Sequence, residues 1–311
     1  MPLRQSVQLE GLVELLSPAS AVQPERFEQG MAALAALGVQ ARPAVHALAR
    51  GPLYFAGSAA ERLADLHSAY GDPAVSVIMA TRGGYGSNYL LDQIDWPLLA
   101  AHPKSFIGYS DLTGLLCALV DRCAQTALHG PMLAADFARP DGIHLPSLRA
   151  ALRGESYLLG PAEALATLQP GSAEGVLYGG CLSILVSLLG TPFEPQTEGK
   201  LLFLEDVGAK PYQIDRMLWQ LRAAGKLDRV SGIVFGQMLD CASPGAPAEL
   251  LEQAIRSALS GFDGPVAFGL TSGHVSGQNV TLAMGRRARL CAAELCTLQV
   301  SSSGSMATTA L

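Results

Sequence analysis

The sequence predicts an α/β protein, with an open, mainly parallel sheet and flanking helices in its N-terminal half and a C-terminal α/β domain after it. Three observations carry this. Aliphatic and β-branched runs alternate with stretches of helical spacing over most of the 311 residues, the rhythm of β-α units. The run Val75-Ser76-Val77-Ile78-Met79-Ala80 is almost uninterrupted, as expected of a strand buried on both faces. Glycine-rich turns follow two of the strands, at residues 82–86 and 273–278, and open α/β sheets build ligand sites beyond their strand ends.

Taken in order, residues 12–16 read as a strand stopped by Ser17-Pro18. Residues 24–37 have helical spacing and stop at Gly38, a good C-cap residue. Residues 39–45 read as a second strand, 59–70 as a helix and 75–80 as the buried strand. A helix is expected over 89–99, broken near Pro97, then a strand over 105–109 and a helix over 111–123. The second half reads as an apolar stretch over 175–189, strands over 201–204, 230–235 and 266–269, and helices over 213–224 and 247–259, with hairpins to about residue 300. The implied domains are 1–145 and 173–300, joined by a Pro- and Gly-rich connection over 146–172 and ending in a flexible Ser/Thr/Gly tail over 301–311.

Composition excludes several function classes. Hydrophobic residues make up 49% and charged residues 15%, so a large core is available and disorder is not expected. The net charge of −6 argues against nucleic-acid binding, which calls for a basic face. The six cysteines include no C-x-x-C pair, so zinc ribbons and thioredoxin-like sites have no support. Glu10 and Glu14 interrupt the apolar-leaning residues near the start, which leaves no clean signal-peptide core. No run of eighteen apolar residues predicts a membrane span. The expectation is a cytoplasmic protein.

Five positions could carry chemistry. Ser110, in Gly108-Tyr109-Ser110-Asp111, falls between a strand and a helix. A serine on so sharp a turn can present its hydroxyl with backbone N–H groups behind it, but it could equally be a helix N-cap. The G-x-S-x-G elbow is not met, since Leu112 replaces the second glycine. The turn Arg82-Gly83-Gly84-Tyr85-Gly86 could cradle a phosphate, donate to an oxyanion or simply turn; neither nucleotide-binding glycine motif is present. Glu205 ends a buried strand, with Asp206 beside it, and strand alternation sends the two side chains apart. His274 lies in a glycine-flanked loop and suits general-base work. His129 is the rival base, or a buried, hydrogen-bonded histidine. No H-E-x-x-H or H-x-x-E-H motif is present.

These pieces fall into a known pattern. RGGYG (82–86), GYSD (108–111), LHGPM (128–132), YGGCLS with LLGTP (178–192), LFLEDVGAKPYQIDRML (202–218) and GHVSGQNVTLAMG (273–285) together resemble the LD-carboxypeptidase family, serine peptidase family S66, to which microcin-immunity peptidases also belong. The order and spacing hold from about residue 13 to 290. The resemblance implies Ser110 as nucleophile, His274 as general base and Glu205 as the residue that orients it. It also implies oxyanion donors in the N–H groups of Gly84 and Asp111, with Arg82 and Tyr85 on the substrate side. By the same likeness, the chain needs no metal or cofactor, acts as a homodimer, and removes the terminal D-alanine of murein tetrapeptide during peptidoglycan recycling. Two positions depart from the family: Cys181 stands where asparagine is usual, and Ala209, before Lys210, where an acid is frequent. They keep open a microcin-immunity-type hydrolase acting on a peptidyl or aminoacyl nucleotide. An inactive peptide-binding module is the third possibility.

Overall fold

The computed structural model describes residues 11–242 and 249–303. The N-terminal half contains β1 (Leu12–Leu16), α1 (Pro24–Ala36), β2 (Ala41–Pro43), α2 (Ala59–Gly71), β3 (Val75–Ala80), α3 (Trp96–Ala101), β4 (Ser105–Gly108), α4 (Thr113–Cys123) and β5 (Ala127–His129). Then follow α5 (Leu145–Leu152), β6 (Tyr157–Leu159), β7 (Ala166–Gln169), β8 (Gly171–Cys181), α6 (Leu182–Ser187), β9 (Lys200–Glu205), α7 (Pro211–Ala223) and β10 (Gly232–Gly236). The chain closes with α8 (Leu250–Ala258), β11 (Val266–Leu270), β12 (Leu282–Met284), β13 (Arg287–Ala292) and β14 (Thr297–Val300).

Local chemistry sets these boundaries. Pro24 lies in the first turn of α1, where its missing N–H costs nothing. Ser58 and Glu61 form a capping box that starts α2. The strand expected over 39–45 is only three residues long, because Pro43 ends it at the sheet edge. The helix expected over 89–99 begins instead at Trp96: Pro97 lies in its first turn and Asp95 caps it, accepting the Leu98 N–H at 3.0 Å. Proline thus starts this helix rather than breaking it. The helix expected over 247–259 is α8; residues 247 and 248, like most of the expected tail, lie outside the described residues.

Two sheets result. The first has the order β12-β5-β4-β3-β1-β2, parallel except for β12. The second has the order β6-β14-β13-β8-β9-β10-β11-β7. Its centre, β8 to β11, is parallel, and its flanking strands are antiparallel. The connecting segment 146–172 carries most of α5 and, in β6 and β7, the strands at both edges of the second sheet. Conversely β12, from the second half of the chain, pairs with β5, Leu282 opposite His129.

Alternation along the strands divides the core into three. Val13 and Leu15 of β1, Ile107 of β4, and Leu201 and Phe203 of β9 enter one cluster that draws on both sheets. Leu16 and Ile78 face the other side of the first sheet, toward α2 and α4. Leu202 and Leu204 face α7 and α8. The period of two that sends Leu201 and Phe203 into the shared core also sends Glu205 there.

Candidate active site

Ser110 follows β4 in a short 3-10 turn, Ser110–Leu112, ahead of α4. Its φ is +65°, a left-handed conformation that costs a non-glycine residue on the order of 1–3 kcal/mol. The turn is held by four bonds. Thr113 Oγ1 donates to the Ser110 carbonyl at 2.8 Å, and Leu112 N–H to the Tyr109 carbonyl at 3.3 Å. Ser87 donates its N–H to Asp111 Oδ2 at 2.8 Å and its hydroxyl to the Asp111 carbonyl at 2.7 Å. Ser110 is therefore not the cap of α4; Leu112 occupies that position. Gly83 lies directly against it, since a Cβ at 83 would stand 2.8 Å from Ser110 Cβ. This close approach explains one glycine of the turn.

Glu205, at the end of β9, is fully buried. Its Oε2 accepts both the His274 N–H at 3.0 Å and the ring Nδ1–H at 2.7 Å. That fixes the ring tautomer and leaves Nε2 free. Burial alone would push the Glu205 pKa up and the His274 pKa down. Their mutual hydrogen bond and charge attraction outweigh burial, so Glu205 is held below and His274 above its ordinary value. Asp206 points elsewhere: its Oδ2 accepts the Ser183 N–H at 2.8 Å in the first turn of α6.

The loop carrying His274 is clamped from all sides. Gly273 N–H donates to Asn279 Oδ1 at 3.0 Å and Ser276 N–H to Gln237 Oε1 at 3.0 Å. Arg139 donates to the carbonyls of Val275 at 2.9 Å and Gly277 at 3.1 Å, and to Asp136 Oδ1 at 3.1 Å. Asp136 belongs to a single π-helical turn, Leu133–Phe137, an irregularity frequent at functional sites. Burial raises the Asp136 pKa to about 6, against its hydrogen bonds. Gly273 has a φ of +89°, and a Cβ there would stand 2.6 Å from Glu205 Cδ; no other residue fits.

A cavity of about 380 Å³ brings Ser110 and His274 together, lined also by Arg26, Arg82, Gly84 and Ala135. The Tyr109 ring meets His274 edge-on at 5.1 Å. Of the residues expected on the substrate side, Arg82 and Gly84 line this cavity, whereas Asp111 and Tyr85 line a neighbouring one of about 300 Å³. The Tyr85 ring stacks with Phe55 and meets Tyr54 and Tyr89 edge-on. His129 does not line the cavity: it is fully buried behind Tyr109 and faces Glu205 Oε1, the oxygen that His274 does not use, so it is not placed to act as the base on a bound substrate. Cys181 is buried beside Ser183, with its thiol pKa raised chiefly by burial, and Ala209 packs on the α7–α8 core. Sequence reasoning missed Arg26, Asp136 and Arg139, which no local motif marks. No group of three or more His, Cys, Asp or Glu that could hold a metal ion occurs among the described residues.

Two domains of one family account for this architecture. Residues 13–130 match the LD-carboxypeptidase N-terminal domain and residues 174–290 the LD-carboxypeptidase C-terminal domain. The chain belongs to the LD-carboxypeptidase family and is a serine-type carboxypeptidase. It is 38% identical to a probable murein peptide carboxypeptidase of Bacillus subtilis (strain 168), covering 91% of this chain and 89% of that one. It is 33% identical to the murein tetrapeptide carboxypeptidase of Pseudomonas aeruginosa, covering 91% and 94%. The solved muramoyltetrapeptide carboxypeptidase of Oxalobacter formigenes superposes with a TM-score of 0.83 at 27% identity, over 94% of this chain and 99% of that one.

Proposed function

We propose that this chain hydrolyses the amide between the L-centre of meso-diaminopimelate and the terminal D-alanine of murein tetrapeptide, with Ser110, His274 and Glu205 as its triad. Serine is a weak nucleophile until a base takes its proton, and the base needs a partner to hold its tautomer. Ser110 Oγ attacks the scissile carbonyl while His274 Nε2 takes the proton. The imidazolium so formed is stabilised by Glu205. The N–H groups of Gly84 and Asp111 receive the oxyanion, D-alanine leaves with the proton from His274, and water then releases the acyl group by the reverse sequence. The observation that carries this reading is the shared cavity of Ser110 and His274, with His274 Nδ1 committed to Glu205 at 2.7 Å.

Two arginines support a carboxypeptidase over an internal peptidase. Arg26 and Arg82 line the same cavity; Arg26 donates to the Ala138 carbonyl and to Gln29 Oε1, and Arg82 to the carbonyls of Ala21 and Gly83. Neither is in an ion pair among the described residues. In a chain with net charge −6, two cations without carboxylate partners beside the nucleophile suit a substrate's terminal carboxylate.

No helix among the described residues is long and apolar enough to cross a membrane. The reading places the enzyme in the cytoplasm, as a homodimer of peptidoglycan recycling; sedimentation tests the dimer, and a monomer at every concentration removes that part. The Escherichia coli microcin C7 self-immunity protein MccF, 28% identical over 81% of this chain, keeps a second substrate in view. Mass spectrometry after incubation with murein tri-, tetra- and pentapeptide and an aminoacyl nucleotide separates them. Loss of one alanine from the tetrapeptide alone is expected. An intact tetrapeptide beside a cleaved nucleotide transfers the chain to the immunity-type reaction.

A further inference from the structure

Behind Glu205 lies a second histidine whose placement the triad does not explain. Glu205 Oε1 and His129 Nε2 face each other at 3.9 Å, both fully buried and both without a hydrogen-bond partner among the described residues. Buried polar atoms are almost always satisfied, so two orphans confronting each other call for an explanation. The separation is too long for a direct hydrogen bond. The other ring nitrogen, Nδ1, lies 3.2 Å from Ser272 Oγ, which is also 2.8 Å from the Val280 carbonyl. Phe203 meets the ring edge-on at 5.0 Å, and Tyr109 lies 5.8 Å away. The ring is therefore fixed and only its proton is free to choose.

Two neutral tautomers compete. With the proton on Nδ1, the ring donates to Ser272, the serine donates to Val280, and a lone pair on Nε2 confronts the carboxylate in a dry interior. With the proton on Nε2, Ser272 donates to Nδ1 and an N–H dipole points at the Glu205 charge. At 3.9 Å the second arrangement is a charge–dipole attraction rather than a hydrogen bond, strengthened by the low local dielectric; it gives up the Ser272 bond to the Val280 carbonyl, whereas the first sets a lone pair against a full charge. The second tautomer wins. A doubly protonated ring is disfavoured because burial, opposed by Glu205, pulls the His129 pKa down to about 4.

We propose that His129 is a positioning residue: neutral, protonated on Nε2, it holds Glu205 Oε1 from behind so that Oε2 stays aimed at His274. The glutamate is then gripped between two imidazoles, one contributed by each sheet. This deepens the triad reading and rests on it. Its parts are joined by β12, whose Leu282 pairs with His129 two residues after Val280.

Two measurements test it. Ring-15N NMR of the free protein assigns the His129 tautomer without any substrate: a protonated Nε2 from pH 6 to 8 is expected, and a protonated Nδ1 overturns the proposal whatever the enzyme's reaction proves to be. The kinetic test compares His129→Phe, which keeps the bulk, with His129→Gln, whose amide N–H can replace Nε2–H. The Phe variant should lose kcat by roughly tenfold to a hundredfold with KM within about twofold, and Gln should recover most of the loss. Equal kcat for the two variants, or a greater loss with Gln than with Phe, defeats the proposal. Should either variant fail to fold, Ser272→Ala, which removes the hydrogen bond at Nδ1, is measured by the same NMR tautomer assignment: Nε2 protonation must persist.

Discussion

The two sheets bring their parts of the site into place by different means. At the end of β4, Ser110 is aimed by its backbone: a left-handed φ of +65°, pinned by bonds from Ser87 and Thr113. At the end of β9, Glu205 needs no unusual backbone. It continues the alternation of Leu201 and Phe203 into the shared core, and side-chain hydrogen bonds hold its loop partner in place. The difference teaches where each half is fragile. The half carrying Ser110 should resist loss of distant side chains but not a disturbed turn; the half carrying Glu205 and His274 should fail when any member of its polar chain is removed.

Apart from loss of Ser110 itself, the largest effects should fall on the second half. His274→Ala should lower turnover on the order of a thousandfold or more, as for triad bases generally. Gly273→Ala should approach the same loss without touching a reacting group, because its Cβ would stand 2.6 Å from Glu205 Cδ; steady-state kinetics on tetrapeptide, with thermal melts, measure both. Near-normal turnover in a folded Gly273→Ala protein would show that the Glu205–His274 geometry is looser than described.

Glu205→Gln comes next, with strongly reduced kcat and KM nearly unchanged, since in the proposed triad the carboxylate acts on the imidazolium rather than on substrate. Asp206→Asn should cost far less and mainly through folding, because Asp206 caps α6. Equal losses for the two would dissolve the distinction drawn from strand alternation. The pH profile sharpens it. His274 must be neutral to take a proton, and Glu205 holds its pKa above the ordinary value. The acid limb of kcat/KM should therefore lie above about 6.5. In Glu205→Gln the two largest causes opposing burial are gone and only the weaker pull of Asp206 and Asp136 remains, so the limb should move to lower pH. A limb that stays put removes Glu205 from contact with the base.

How much of this could be read in advance differs between the halves. The strands Val75–Ala80 and Leu12–Leu16 were legible, because a buried strand writes itself as a short, mostly aliphatic run, here with one polar residue in each, Ser76 and Glu14. Period two said only that Glu205 and Asp206 point apart; the family motifs favoured Glu205. The family motifs led to Ser110 and His274, though not to the left-handed backbone at Ser110. Illegible were the π turn at Leu133–Phe137, too short to leave a periodic signal, and the return of β12 to the first sheet, a pairing between distant segments. Arg26 and Arg139 were missed for the same reason: only tertiary packing brings them to the site.

A smaller effect belongs to substrate binding. Arg26→Gln and Arg82→Gln should each raise KM for tetrapeptide about tenfold, the loss of one charge-assisted hydrogen bond. Neither should change KM for a tetrapeptide whose terminal carboxylate is amidated. Equal effects on both substrates would assign the arginines to the fold rather than to the carboxylate.

The most direct test of a serine nucleophile served from the opposite sheet is D-alanine release from murein tetrapeptide by wild type and by Ser110→Ala, each with EDTA present. Wild type should release D-alanine at an undiminished rate, and folded Ser110→Ala should be slower on the order of a thousandfold or more. Equal release by the two proteins, or wild-type activity that EDTA abolishes and zinc restores, would contradict it.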